Sequence, residues 1–87
     1  MTLLLERELV SKNFTMITLD DCMYCAKAEK LIKERGWVLT AHYIENNLWV
    51  LKVMKKANLK SFPQIWCEDE YIGGFTDLER WAKHVGN

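Results

Sequence analysis

The chain has 87 residues, 49% of them hydrophobic and 28% charged, which suits one domain around one modest core and argues against disorder. Twelve basic residues balance twelve acidic ones, so no global charge draws the chain to nucleic acid or an anionic membrane. The early apolar run Leu3-Leu4-Leu5 stops at Glu6-Arg7-Glu8, too short for a signal-peptide core or a membrane span. The expectation is a single domain over residues 1–87 in the cytoplasm.

Residues 3–11 read as a short helix. Phe14 to Leu19 is β-branched and aromatic enough for a buried strand. A loop then leads into Cys22-Met23-Tyr24-Cys25, which opens a long helix to Arg35. Cys25, Ala28, Leu31 and Ile32 form its inner stripe, and Lys27, Lys30, Lys33 and Glu34 its wet face. Gly36 supplies the stop. Trp37 to Ile44 alternates loosely and suits a second strand. Asn46 or Asn47 is positioned to cap a helix running to about Asn58, with Lys52, Lys55 and Lys56 as its polar stripe. Pro63 interrupts the chain before the strand Gln64-Ile65-Trp66-Cys67. Glu68-Asp69-Glu70 reads as the turn of a hairpin returning through Tyr71-Ile72 and ending at Gly73-Gly74. Thr76-Asp77-Leu78-Glu79 has the pattern of a capping box opening a last helix to about His84.

The two cysteines carry the chemistry. Three residues apart is one helical turn, so both sulfurs can meet at a helix N-terminus, where unpaired N–H groups favour an anion. A thiolate is the attacking form in thiol–disulfide exchange, and this position makes the leading cysteine a nucleophile. Half of a zinc site, or two ordinary buried cysteines, remain alternatives for an isolated CxxC. Three cysteines are too few for a disulfide scaffold.

The order α-β-α-β-α-β-β-α predicts an α/β fold, a four-stranded mixed sheet flanked by helices, with CxxC after the first strand as a thioredoxin-like fold requires. Three blocks then resemble the glutaredoxin family across roughly residues 12–84. Cys22-Met23-Tyr24-Cys25 resembles its Cys-Pro-Tyr-Cys, with Met in place of Pro. Ser61-Phe62-Pro63-Gln64-Ile65 resembles its Thr-Val-Pro segment, whose proline is cis. Ile72-Gly73-Gly74-Phe75-Thr76-Asp77-Leu78 resembles its Ile-Gly-Gly-x-x-Asp-Leu element. The extra N-terminal helix matches longer members.

The resemblance implies a glutathione-dependent thiol–disulfide oxidoreductase, with Cys22 the exposed nucleophile and Cys25 the resolving thiol. It places glutathione, a co-substrate rather than a tightly bound cofactor, against Tyr24, Phe62, Pro63, Gly74 and Phe75. A cis bond before Pro63 leaves the Phe62 backbone groups to pair with substrate. Thr76 and Asp77 match the helix N-terminus that meets the γ-glutamyl end, and Lys60 the position for the glycyl carboxylate. Disulfide-containing proteins are the implied partners, ribonucleotide reductase among them at family level, and a monomer is expected.

The chain departs from the family at Leu19-Asp20-Asp21, where a lysine is usual before CxxC. Carboxylates beside Cys22 disfavour a thiolate and repel the carboxylates of glutathione. Two other functions stay open: a thioredoxin-like electron donor served by a flavoprotein reductase, and a carrier of an iron–sulfur cluster ligated with glutathione. The non-proline CxxC favours the second of these.

The remaining conspicuous residues read as structural. Cys67 sits in mid-strand, and His42 and His84 have no ligand spacing to each other or to the cysteines. Trp37, Trp66 and Trp81 read as core or core margin, and Trp49 as a partly exposed contact residue.

Overall fold

The computed structural model describes residues 12–85; the expected helix over residues 3–11 lies outside them. Strand β1 (Asn13–Thr18) runs through the middle of the sheet. Its alternate side chains Phe14 and Met16 are 1% exposed on one face, while Ile17 is buried on the other. Burial on both faces follows from a central strand with helices on each side. Leu19 falls just beyond the strand, where the chain turns toward the cysteines.

Helix α1 (Met23–Glu34) returns across the sheet to β2 (Val38–Tyr43), which pairs parallel to β1 from Asn13↔Val38 to Thr18↔Tyr43. The expected stripe is realised: Ala28 and Ile32 are completely buried and Leu31 packs against the same core. Full burial of a side chain such as Ile32 contributes about 1.5–3 kcal/mol. Gly36 ends the helix at φ +75°. Its N–H donates to the Lys33 carbonyl, and that of Trp37 to the Ile32 carbonyl, the paired bonds of a Schellman stop.

Helix α2 (Trp49–Lys56) covers the other sheet face, where Val50 and Met54 pack with Ile17. The expected asparagine cap is not made: Leu48 stands at the N-cap with no side-chain bond. Asn47 instead turns its amide back to donate to the Tyr43 carbonyl at 3.0 Å. That local bond holds the turn leaving β2 and draws the side chain off the helix N-terminus. Asn58 takes the left-handed position at φ +60° after this helix, as a C-terminal stop requires.

Strands β3 (Gln64–Cys67) and β4 (Glu70–Gly73) form the hairpin, with Glu68 at φ +53° in its turn. β3 also pairs antiparallel to β1, giving the sheet order β2-β1-β3-β4. Helix α3 (Phe75–Val85) packs Leu78 and Ala82, both fully buried, beside α1 under the first face. It starts one residue before Thr76, so the expected capping box is displaced. Asp77, now the third helical residue, reaches back to accept from the Gly74 N–H at 3.1 Å, which is the carboxylate half of such a box.

Candidate active site

The C-terminal end of β1 and the N-terminus of α1 place the two cysteines. Cys22 is the N-cap, with extended backbone at φ −114° and ψ 106°, and Cys25 is one turn on. Their side chains form a disulfide across a Cα–Cα separation of 5.2 Å. Cys25 is 4% exposed, in line with the inner stripe, whereas Cys22 is only partly covered. The Cys25 N–H donates to the Cys22 sulfur at 3.2 Å. A backbone donor at a helix N-terminus holds a thiolate in that place better than it holds a thiol.

Two cavities border the CxxC segment and differ in character. A 460 Å³ cavity reaches both cysteines and is walled by Asp20, Asp21, Glu29 and Tyr43. Glu45, a residue that sequence reasoning passed over, accepts from the Asp20 N–H at 2.9 Å. The acidic departure before Cys22 is thus larger in space than in sequence.

A separate 290 Å³ groove meets the CxxC segment at Tyr24. It gathers Tyr24, Phe62, Pro63, Gly74, Phe75, Thr76 and Asp77 from three separate segments. The Phe62–Pro63 bond is cis. Gly73 has φ +123°, and a Cβ there would lie 2.9 Å from the Asp77 Cγ, so glycine alone lets the carboxylate sit back on the Gly74 N–H. Tyr24 packs toward Phe75 with ring centroids 6.1 Å apart, and the Lys27 ammonium lies 5.3 Å from the Tyr24 ring. Lys60 does not line this groove. It borders a neighbouring cavity with Leu51, Lys55 and Leu59, and Phe62 lines both.

Three further residues complete the groove. The Tyr71 hydroxyl donates to Gln64 Oε1, and the Gln64 amide donates to the Ser61 carbonyl at 2.8 Å and to Ser61 Oγ at 3.2 Å. The chain tethers the segment before Pro63 to β4. Its sequence signal was a polar Gln at the head of an otherwise apolar strand; at 3% exposure such a group needs partners. Partial burial, and then the Asp77 charge, push the Tyr71 phenol above its ordinary value.

The other conspicuous residues have these surroundings. Cys67 is a buried free thiol, pushed up mainly by burial and then by Glu68, which leaves it protonated and inert. The His42 ring rests 6.1 Å from that of Trp49, and His84 Nδ1 lies 2.9 Å from the Arg80 carbonyl. Trp37 is buried in the core, with Trp81 packed at its edge.

A family model for glutaredoxin matches residues 14–72. The chain belongs to the glutaredoxin family. It is 36% identical over 74 residues to glutaredoxin 1 of Salmonella typhimurium, covering 71% of this chain and 80% of that one. A hybrid peroxiredoxin of Haemophilus influenzae is 25% identical over 72 residues, and the chain spans 30% of that longer protein. The crystal structure of glutaredoxin 1 from Francisella tularensis, complexed with cacodylate, superposes with a TM-score of 0.75 at 25% identity. That match covers 86% of this chain and 96% of the other. As a glutaredoxin, the protein is a thiol–disulfide oxidoreductase with a thioredoxin-like fold and a redox-active cysteine pair. Among the described residues, no helix is long and apolar enough to cross a membrane.

Proposed function

We propose that this glutaredoxin, acting as a single domain in the cytoplasm, reduces protein disulfides and glutathione mixed disulfides with glutathione as the electron source. The observation that carries this is the groove beside the cysteine pair. It collects seven of the eight side chains and backbone positions expected to meet glutathione, Lys60 being the eighth. In this reading the α3 N-terminus receives the γ-glutamyl carboxylate, and Asp77 exchanges its bond to the Gly74 N–H for the ligand's ammonium group. Tyr24 and Phe75 wall the groove, and the Phe62 backbone pairs with the peptide.

Chemistry starts from the reduced pair. The Cys22 thiolate attacks one sulfur of the substrate disulfide, forming a mixed disulfide as the old S–S bond breaks, and the departing sulfur takes a proton. Cys25, deprotonated, attacks the Cys22 sulfur and expels the second substrate thiol. Two electrons have passed to substrate, and the Cys22–Cys25 disulfide remains, the state seen here. Two glutathione molecules reverse the oxidation: the first opens the bond as a mixed disulfide on Cys22, and the second releases oxidised glutathione. Ribonucleotide reductase, a protein acceptor of the family, is one candidate substrate.

The test compares reductants. Recycling by glutathione should exceed recycling by a thioredoxin reductase by at least tenfold in kcat/KM. The reverse order would assign the protein to the thioredoxin-like class, for which the acidic loop at Asp20-Asp21 would then be the reason.

A further inference from the structure

Between Glu45 and Glu68 the chain has no carboxylate side chain, yet Lys52, Lys55, Lys56 and Lys60 all fall there. The whole chain balances twelve against twelve, so this stretch carries +4 and the remainder, with eight basic against twelve acidic residues, carries −4. The charges are therefore segregated. The ion pairs among the described residues, Lys33–Glu29 and Arg80–Asp77, use none of these four lysines.

On that basic segment lies the second 290 Å³ cavity. Leu51, Met54, Leu59 and Phe62 supply apolar walls, and Lys55 and Lys60 stand at its margin. Leu51 is 44% exposed although it belongs to α2, an apolar side chain left in water beside an open recess. Phe62 separates this recess from the groove beside the cysteines and lines both. A chain crossing Phe62 passes from one to the other.

We propose that this recess seats the segment flanking the disulfide of a protein substrate, with an apolar side chain against Leu51 and Phe62 and a carboxylate at Lys55. The inference rests on the reading that the Cys22–Cys25 pair reduces protein disulfides, and it adds which proteins are preferred. Charge complementarity selects the carboxylate. The acidic wall of Asp20, Asp21 and Glu29, in the separate cavity that reaches both cysteines, repels the same group, so attraction and repulsion together fix which way the substrate chain runs. Small disulfides, lacking a flanking chain, gain nothing from the recess.

The experiment uses disulfide-bonded peptides that share one leucine near the cystine and differ only in a neighbouring Asp, Asn or Lys. Dithiothreitol serves as the terminal reductant, so peptide reduction does not depend on glutathione. Turnover of hydroxyethyl disulfide with glutathione is followed in parallel and reports on the proposed function alone. At low salt the Asp peptide should exceed the Lys peptide about fivefold in kcat/KM, the size of an exposed ion pair. Lys55→Glu should reverse that order, and Leu51→Ala should raise KM for all three peptides, while both variants turn over hydroxyethyl disulfide normally. Equal kcat/KM for the three peptides, an order unchanged by Lys55→Glu, or equal losses on hydroxyethyl disulfide would overturn the proposal. So would Lys55-dependent binding to phosphatidylserine vesicles with no effect on peptides, which would make the face a membrane contact. Loss of hydroxyethyl disulfide turnover in the unmodified protein would count against glutathione dependence and leave the peptide comparison to judge the recess.

Discussion

The backbone N–H of Cys25 points at the sulfur of Cys22 from 3.2 Å away. The resolving residue thus helps to hold the nucleophile through its main chain, independently of its own thiol. The two contributions of Cys25 are therefore separable by substitution.

Cys25→Ser keeps the amide and removes the sulfur. It should abolish reduction of protein disulfides by the dithiol route yet retain more than about a tenth of the turnover of glutathione mixed disulfides, where glutathione resolves the intermediate. Cys22→Ser should abolish both, at least a thousandfold, since the two thiols that remain, Cys25 and Cys67, are both buried. Parallel assays of the two variants on both substrates check the assignment; equal losses would show the roles to be wrong.

The acidic loop should restrain reactivity. Two charges about 4 Å apart in water interact by about 1 kcal/mol, a several-fold change in thiolate fraction. Asp20→Lys should therefore accelerate alkylation of reduced Cys22 by iodoacetamide several-fold near neutral pH and lower KM for glutathione. Asp21→Asn should do the same more weakly, and both gains should shrink as salt rises. Unchanged alkylation at low ionic strength would leave the helix terminus alone in control.

Gly73→Ala introduces a Cβ where the backbone is at φ +123° and the Asp77 carboxyl group is in the way. The strain costs about 1–3 kcal/mol, and the cap on Gly74 is displaced with it. Urea unfolding should show a loss of that size, and KM for glutathione mixed disulfides should rise. Gly36→Ala has open space around its Cβ and should reduce stability without altering KM, which separates the groove from general destabilisation.

Alkaline pH should lower the stability of the protein through two groups. The fold raises Cys67 above its ordinary 9.0 and Tyr71 above 10.0, in each case chiefly by burial. Below these ordinary values folded and unfolded forms are equally protonated and nothing is lost. Above them the unfolded chain releases its protons first, so stability falls as pH rises toward the folded values. Denaturation midpoints measured from pH 8 to 11 should decline across that window, and Cys67→Ala should flatten the portion beginning near 9.

Much of this was legible in the sequence because it is local. The CxxC pair, the α1 stripe of Cys25, Ala28 and Ile32, the Gly36 stop and the groove segments at Pro63 and Gly74 are each written within a few residues. The misreadings concern competition between local partners. Asn47 satisfies Tyr43 rather than a helix end, and Asp77 caps Gly74 rather than yielding to Thr76. What escaped altogether depended on tertiary pairing: Glu45 meets Asp20 across 25 residues, and Tyr71 meets Gln64 only once β3 and β4 are paired with a register shift at Ile65/Trp66. No periodicity encodes such pairs.

The two sulfurs are anchored unequally. Cys25 shares its helix stripe with Ala28 and Ile32, both sealed in the core, while Cys22 is joined to β1 through a turn in which Asp21 has φ +56°. When the bond between them opens, the inner sulfur keeps the place its packing gives it. The inner thiol then works like a fixed latch plate, and a captured substrate is released only where the mixed disulfide on the outer sulfur lies within its reach.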